Sequence, residues 1–351
     1  MQYRPQPRRR TCAGRRRGQT GVTLVELMVS ITLSLLISGF LVTLYVNASR
    51  ARGELDKTSR QIENGRYALD LLREDIEMAG FFGPLVQGSG IEYAFSSPDP
   101  CLTAVTALGF STSPWTLPSG VQGIAPSDTL SCLPNRKADT AAIALRRVDP
   151  VRLGLAAANI GPGKPHFQTS FCYADTARFV FSDDPAAFTL RRAFDGTDCT
   201  GTNFVQRYVQ RIYYISSCGR CSPSDGVPTL KRVELVNGAW QLRSLADGLD
   251  DLHFVYGFDQ PAGGTTPEGT ADVFSATLGT TTPSDRWSNV VAVRVFLLAR
   301  TAEPTPGYTD PAGTEYDMGD SSVGPFSDGY KRRAYSTQVR IQNVAGVREK
   351  P

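Results

Sequence analysis

The spacing of hydrophobic and polar positions changes character twice along the chain. Leu27 to Val46 is a run of twenty residues without a single charge. At about 1.5 Å rise per residue, a helix of that length spans about 30 Å, the hydrocarbon thickness of a bilayer. Soluble helices keep a charged face, so the run predicts one membrane-spanning helix. From Arg50 to Ala79 the pattern becomes a stripe on a charged helix. Leu55, Ile62, Leu69 and Ile76 recur every seventh residue, with Thr58, Gly65, Leu72 and Ala79 beside them. That stripe predicts packing on one side only. Gly80 is a plausible helix stop, and Gly83-Pro84 makes continuation unfavourable. A helix over 22–80 is too long to be buried in its own domain.

After about residue 81 the period drops to two. Tyr335, Thr337, Val339 and Ile341 alternate with Ser336, Gln338, Arg340 and Gln342, the signature of a half-buried strand. Phe179–Phe181, Ile212–Ile215, Leu252–Tyr256 and Val290–Leu298 read as further strands, and Gln260–Gly269 and Pro304–Gly329 as long turn-rich connections. The fold class expected is α+β: a basic leader over 1–21, a long N-terminal helix over 22–80 with 27–46 in the membrane, and an antiparallel β domain over 81–351 with long loops.

Composition adds little except through its distribution. With 41% hydrophobic and 20% charged residues the chain is an ordinary folded protein, and its 33 glycines and 23 prolines fit many turns. The net charge of +3 conceals seven arginines and no acid within residues 1–21, which leaves 30 basic against 34 acidic residues beyond them. A nucleic-acid partner would rest on the leader alone and is set aside. Only Arg50, Arg52, Lys57 and Arg60 follow the apolar run closely, so the charge bias favours a cytoplasmic N-terminus and an exported bulk.

An ordinary signal peptide cut near Ala48 would need a shorter apolar core, since such cores run about 7–15 residues. Glu26 argues more sharply, because it stands inside the apolar segment Gly21-Val22-Thr23-Leu24-Val25-Glu26-Leu27. A carboxylate there costs about 2–3 kcal/mol on insertion scales unless it finds a partner. If the chain were cut after Gly21, the new amine of Val22 would lie one helical turn away, and the carboxylate would sit favourably at a helix N-terminus.

This segment, between a basic leader and an apolar helix, resembles the signal of type IV pilins and pseudopilins. The resemblance implies cleavage by prepilin peptidase after Gly21, N-methylation of Val22, and Glu26 as the assembly carboxylate. Two departures point away from a major pilin: many family members begin with phenylalanine where Val22 stands, and a helix-bending proline is replaced by Thr43. Three later segments, 245–257, 287–300 and 332–343, resemble the C-terminal half of PilW-type minor pilins. What the resemblance implies is a non-enzymatic minor pilin of the inner membrane, its C-terminal domain periplasmic, incorporated into an extracellular pilus with other pilins as partners. The middle, 84–240, carries no quotable motif. The nearest rival is a type II secretion pseudopilin.

Seven cysteines become six once Cys12 leaves with the leader: Cys101, Cys132, Cys172, Cys199, Cys218 and Cys221. An even count in an exported domain points to disulfides, with sequence neighbours as the simplest pairing among the 15 that six cysteines allow. Cys218-Gly219-Arg220-Cys221 also matches a redox motif, and a rival of another class is a soluble periplasmic thiol oxidoreductase using that pair. It follows a strand and precedes a turn, where no helix N-terminus lowers a thiol pKa, so a stapled loop is the favoured reading. His166 and His253 are the only histidines, and His253 lies in a strand, which favours a structural role. Asp247, Asp250 and Asp251 miss the calcium-loop spacing and read as a solvated turn. Arg332 and Arg333 read as charges protecting a sheet edge. No catalytic, metal or cofactor motif is visible.

Overall fold

The computed structural model describes residues 21–85, 93–192, 199–260, 267–278 and 287–349. The arginines of the leader, Cys12, and most of the turn-rich Gln260–Gly269 stretch lie outside the described residues. The chain divides into two units, residues 1–55 and residues 56–351.

Helix α1 runs from Leu24 to Glu77, 54 residues without a proline. Its end has a local cause. Gly80 adopts φ +75°, a left-handed conformation that costs glycine nothing, and its N–H leaves the helix to donate to the Arg146 carbonyl at 2.9 Å.

The β portion opens with β1 (Ala94–Ser96), β2 (Ser111–Thr112) and β3 (Trp115–Pro118), a small sheet ordered β1-β3-β2. Next come β4 (Val121–Ile124), β5 (Ala142–Val148), β6 (His166–Thr169) and β7 (Phe179–Ser182), then a short ladder of β8 (Arg191–Arg192) and β9 (Gly201–Thr202). Strands β10 (Val205–Ser216), β11 (Thr229–Val236) and β12 (Ala239–Asp247) complete a seven-stranded antiparallel sheet ordered β12-β11-β10-β5-β4, with β6 pairing both β10 and β7. A four-stranded antiparallel sheet follows, ordered β14-β13-β15-β18, from β13 (Leu249–Phe258), β14 (Val273–Ser275), β15 (Val290–Arg300) and β18 (Arg332–Arg340). Between its last two members, β16 (Tyr316–Asp317) pairs with β17 (Ser322–Val323), so the turn-rich Pro304–Gly329 stretch contains a small hairpin. Helix α2 (Gln342–Arg348) closes the described chain.

Two large sheets share one core. Ala68, Leu72 and Ile76 of the helix, with Ala79 just beyond it, meet Tyr213 and Ile215 of the first sheet and Val293, Val295 and Val339 of the second. Strand β10 is buried on both faces: Tyr213 and Ile215 join this cluster, while Ile212 and Tyr214 join another with Ile124 and Leu133. Burial on both sides is what turns Ile212–Ile215 into an uninterrupted apolar run.

The helix face also differs in detail from the heptad reading. Its buried residues are Gln61, Gly65, Ala68, Leu72, Asp75 and Ile76. Leu55, expected to open the stripe, is 68% exposed, and two polar residues take part instead. Gly65 is there for space. A Cβ at that position would stand 2.6 Å from the Tyr335 ring on β18, well inside van der Waals contact. Replacing Gly65 by Ala should therefore loosen the helix from β18 and destabilise the folded part by about 1–3 kcal/mol, the range for overpacking. Thermal unfolding of the detergent-solubilised chain reads this out. Pairing Gly65→Ala with Tyr335→Leu should recover part of the loss, and an unchanged midpoint in the single variant would contradict the packing.

Candidate functional site

The helix start carries the chemistry singled out in the sequence. Gly21 to Thr23 precede the helix, which begins at Leu24. The Glu26 carboxylate accepts from the Thr23 backbone N–H at 2.9 Å and from the Thr23 hydroxyl at 3.0 Å, while the Glu26 N–H donates back to that hydroxyl at 3.3 Å. This is a capping box, which satisfies two of the donors a helix start leaves open. Gly21, Val22 and Glu26 are all exposed, and nothing lies within 4 Å of where a Gly21 Cβ would stand.

Beyond it, the apolar segment has no burial within its own chain. Every residue from Leu27 to Val46 is exposed within the chain. Its hydroxyls are satisfied locally: Ser34 donates to the Ser30 carbonyl at 2.7 Å and Thr43 to the Gly39 carbonyl at 2.8 Å. Polar groups that bond back to their own helix can enter a hydrocarbon environment without an unpaired donor.

The other end of the helix is held by ions. Asp75, 5% exposed, receives Arg211 Nη1 at 2.7 and 2.8 Å, Arg147 Nη2 at 3.4 Å and the Tyr213 hydroxyl. Burial works against the charge, but Arg211, Tyr213 and Arg147 outweigh it and hold the carboxyl below the usual aspartate range. Arg211 in turn reaches Glu234 at 3.1 Å, and Arg232 lies 3.3 Å from the same carboxylate. One turn after another, Gln61 donates to the carbonyls of Ala299 and Lys331, and Asn64 to that of Asp247. These contacts stitch the helix to both sheets. None of these polar residues stood out in the sequence, where Asp75 is one charge among many.

The other candidates fall in three places. His166 is buried, with Nδ1 2.9 Å from the Lys164 carbonyl. His253 on β13 has Nδ1 2.7 Å from Asp320 and Nε2 3.3 Å from Asp251. Burial opposes its charge, yet the two carboxylates push its pKa up to about 9. Asp247 is exposed beside the turn at Gly248, as a solvated turn requires, but Asp250 and Asp251 lie in β13 and depart from that expectation. Asp250 is buried, 3.1 Å from Lys137 and 2.8 Å from Arg332. Arg332 is equally far from an exposed edge charge: its side chain is 2% exposed, grips Asp328 at 2.6 and 2.7 Å, and stacks on Phe326. Arg333 is exposed and lies over Tyr335. Among the described residues no cluster of three or more metal-type ligands occurs.

Disulfides join Cys101 to Cys132, Cys172 to Cys199 and Cys218 to Cys221, each pair being neighbours in sequence. The third closes the loop between β10 and β11, away from any helix start.

Two pH limbs follow. The depressed Asp75 carboxyl stabilises the fold fully above its unfolded value, about 3.9, and that contribution is lost as pH falls through the folded value. His253, raised to about 9, contributes fully below its unfolded value and loses that contribution as pH rises through the folded one. Urea midpoints of the full chain should thus fall at both extremes. Asp75→Asn should lower the midpoint at neutral pH and blunt the acid limb, and His253→Asn should blunt the alkaline one. A variant that keeps its wild-type slope contradicts the corresponding pairing.

Residues 16–42 match the prokaryotic N-terminal methylation motif, and residues 212–343 match the family described as Type IV Pilus-assembly protein W. No curated protein matches the chain. Among solved structures, a type IV-like pilin from Thermus thermophilus is 18% identical over 39% of this chain and 80% of its own, with a TM-score of 0.17. The family match spans β13, β15 and β18, the same strands on which Gln61, Gly65 and the Arg332 cluster converge. The chain thus joins a segment similar to the prokaryotic N-terminal methylation motif to a region similar to the Type IV Pilus-assembly protein W family.

Proposed function

We propose that prepilin peptidase removes residues 1–21 and methylates Val22, and that the mature chain joins a pilus through its N-terminal helix. The observation that carries this reading is the capping box. Thr23 holds the Glu26 carboxylate at the helix start, exposed and adjacent to the amine that cleavage after Gly21 would create. In the membrane the amine of a neighbouring pilin offsets the cost of that carboxylate, about 2–3 kcal/mol on insertion scales. The exposed apolar surface of Leu27–Val46 then packs among the helices of other major and minor pilins, where Gly39 and the small hydroxylated residues allow close approach.

In this reading the precursor crosses the inner membrane once, N-terminus in the cytoplasm and β domain in the periplasm, and the processed chain becomes part of an extracellular filament. Its role is structural rather than enzymatic, and its partners are pilins and the peptidase, with no nucleic acid. The glycine at 21 is read by the peptidase and the glutamate at 26 by the assembling helices, so their variants separate. Gly21→Val should leave the full-length precursor in the membrane. Glu26→Ala should be processed and keep the wild-type thermal midpoint, but fall at least tenfold in sheared pili. Immunoblotting of the membrane and sheared fractions decides it, and wild-type amounts of Glu26→Ala in sheared pili would refute the role of the carboxylate.

A further inference from the structure

The loop between β10 and β11 holds a charge that its disulfide does not explain. Lys231 on β11 is 3% exposed, and its Nζ donates to Cys221 Sγ at 3.4 Å. A disulfide sulfur is a weak acceptor, poor compensation for a buried ammonium. Among the described residues no carboxylate comes within ion-pair distance of Lys231, although Asp225 and Asp247 favour its charge from further away. Burial outweighs them and pushes the ammonium below the usual lysine range. The ladder between β11 and β12 shifts register between Leu230 and Lys231, an irregularity of the sort that re-aims side chains.

Two hydroxyls stand near the sulfurs as well, although that of Ser216 donates to the Cys218 carbonyl at 3.0 Å and this carbonyl lies 3.3 Å from Cys221 Sγ. Ser216 Oγ lies 3.8 Å from both Cys218 Sγ and Cys221 Sγ, and Ser217 Oγ lies 3.8 Å from Cys218 Sγ. The Asp225 carboxylate is occupied by the backbone N–H groups of Gly219, Arg220 and Val227, which fixes the loop around the pair. Cys218 is buried, and Cys221 is partly exposed. An ammonium 3.4 Å from a cysteine sulfur stabilises its thiolate, the form present only after reduction.

We propose that Cys218–Cys221 is a thiol–disulfide exchange site, opened by an incoming dithiol, with Lys231 holding the Cys221 thiolate. The donor thiolate attacks the accessible Cys221 sulfur, the Cys218–Cys221 bond breaks, and Cys218 leaves as a thiolate that takes up a proton. The second donor thiolate then attacks its own sulfur in the mixed disulfide, closing the donor disulfide and expelling Cys221 as a thiolate facing Lys231. Two electrons pass from the dithiol to the cysteine pair, one proton goes to Cys218 and the other to solvent. The charge that is poorly compensated beside the disulfide is matched in the dithiol state, so reduction is favoured at this bond over Cys101–Cys132 and Cys172–Cys199.

The test equilibrates the full chain in detergent with a series of reduced to oxidised dithiothreitol ratios, then tags freed thiols and maps them by mass. Cys218–Cys221 should open at a ratio at least about tenfold less reducing than either other pair, the factor that one pKa unit supplies. Lys231→Met should move that equilibrium about tenfold back toward the disulfide, whereas Lys231→Arg should retain most of the wild-type behaviour. In the reduced wild-type chain, the pH profile of Cys221 alkylation should have its midpoint below the ordinary thiol value of about 8.5. That last measurement needs no variant and stands if Lys231→Met fails to fold. Opening of Cys218–Cys221 no sooner than the other two pairs, or an alkylation midpoint at or above the ordinary value, would overturn the proposal.

Discussion

Asp75 is the point on which the arrangement of the folded unit turns. A carboxylate buried on a helix is costly unless its charge is met, and here Arg211, Arg147 and Tyr213 meet it from two strands of the seven-stranded sheet. Those contacts fix the rotation of the helix about its axis. With Asp75 in place, Leu72 and Ile76 enter the core, Gly65 passes the Tyr335 ring, and Gln61 reaches the carbonyls of Ala299 and Lys331. Apolar contacts alone would tolerate several rotations, since Ile62 and Leu69 flank the same face. The ion cluster selects one.

The same helix therefore answers to two environments. Its later turns are amphipathic and polar where they meet the sheets. Its early turns are apolar all round, with every large side chain from Leu27 to Val46 exposed within this chain. A helix of that kind is satisfied only by lipid or by other helices. Serine and threonine hydroxyls that bond back to the helix make the segment compatible with either.

Much of this was legible beforehand for identifiable reasons. The apolar run, the odd Glu26 at its edge and the alternation from Tyr335 to Ile341 are local signals that need no knowledge of the fold. The Thr23-x-x-Glu26 spacing carries a capping-box signature that a search for helix starts would also have found. The ion clusters were invisible because their meaning is not local. Asp75 looks like its exposed neighbours Arg73 and Glu74, and its partners lie 72 and 136 residues away. Asp250 and Arg332 look like surface charges in the sequence for the same reason, being 82 residues apart. In the middle of the chain, burial on both faces erases the two-residue period, so the largest sheet left the faintest trace in the sequence.

The proposed retention of the apolar helix as the N-terminus of a processed pilin is read out by the end group of the native protein. N-terminal sequencing with intact mass of the chain extracted from membranes should find it beginning at Val22, with the mass of one added methyl group. A chain beginning at Ser49 would mean that the helix is discarded as an ordinary signal peptide, and would contradict the account.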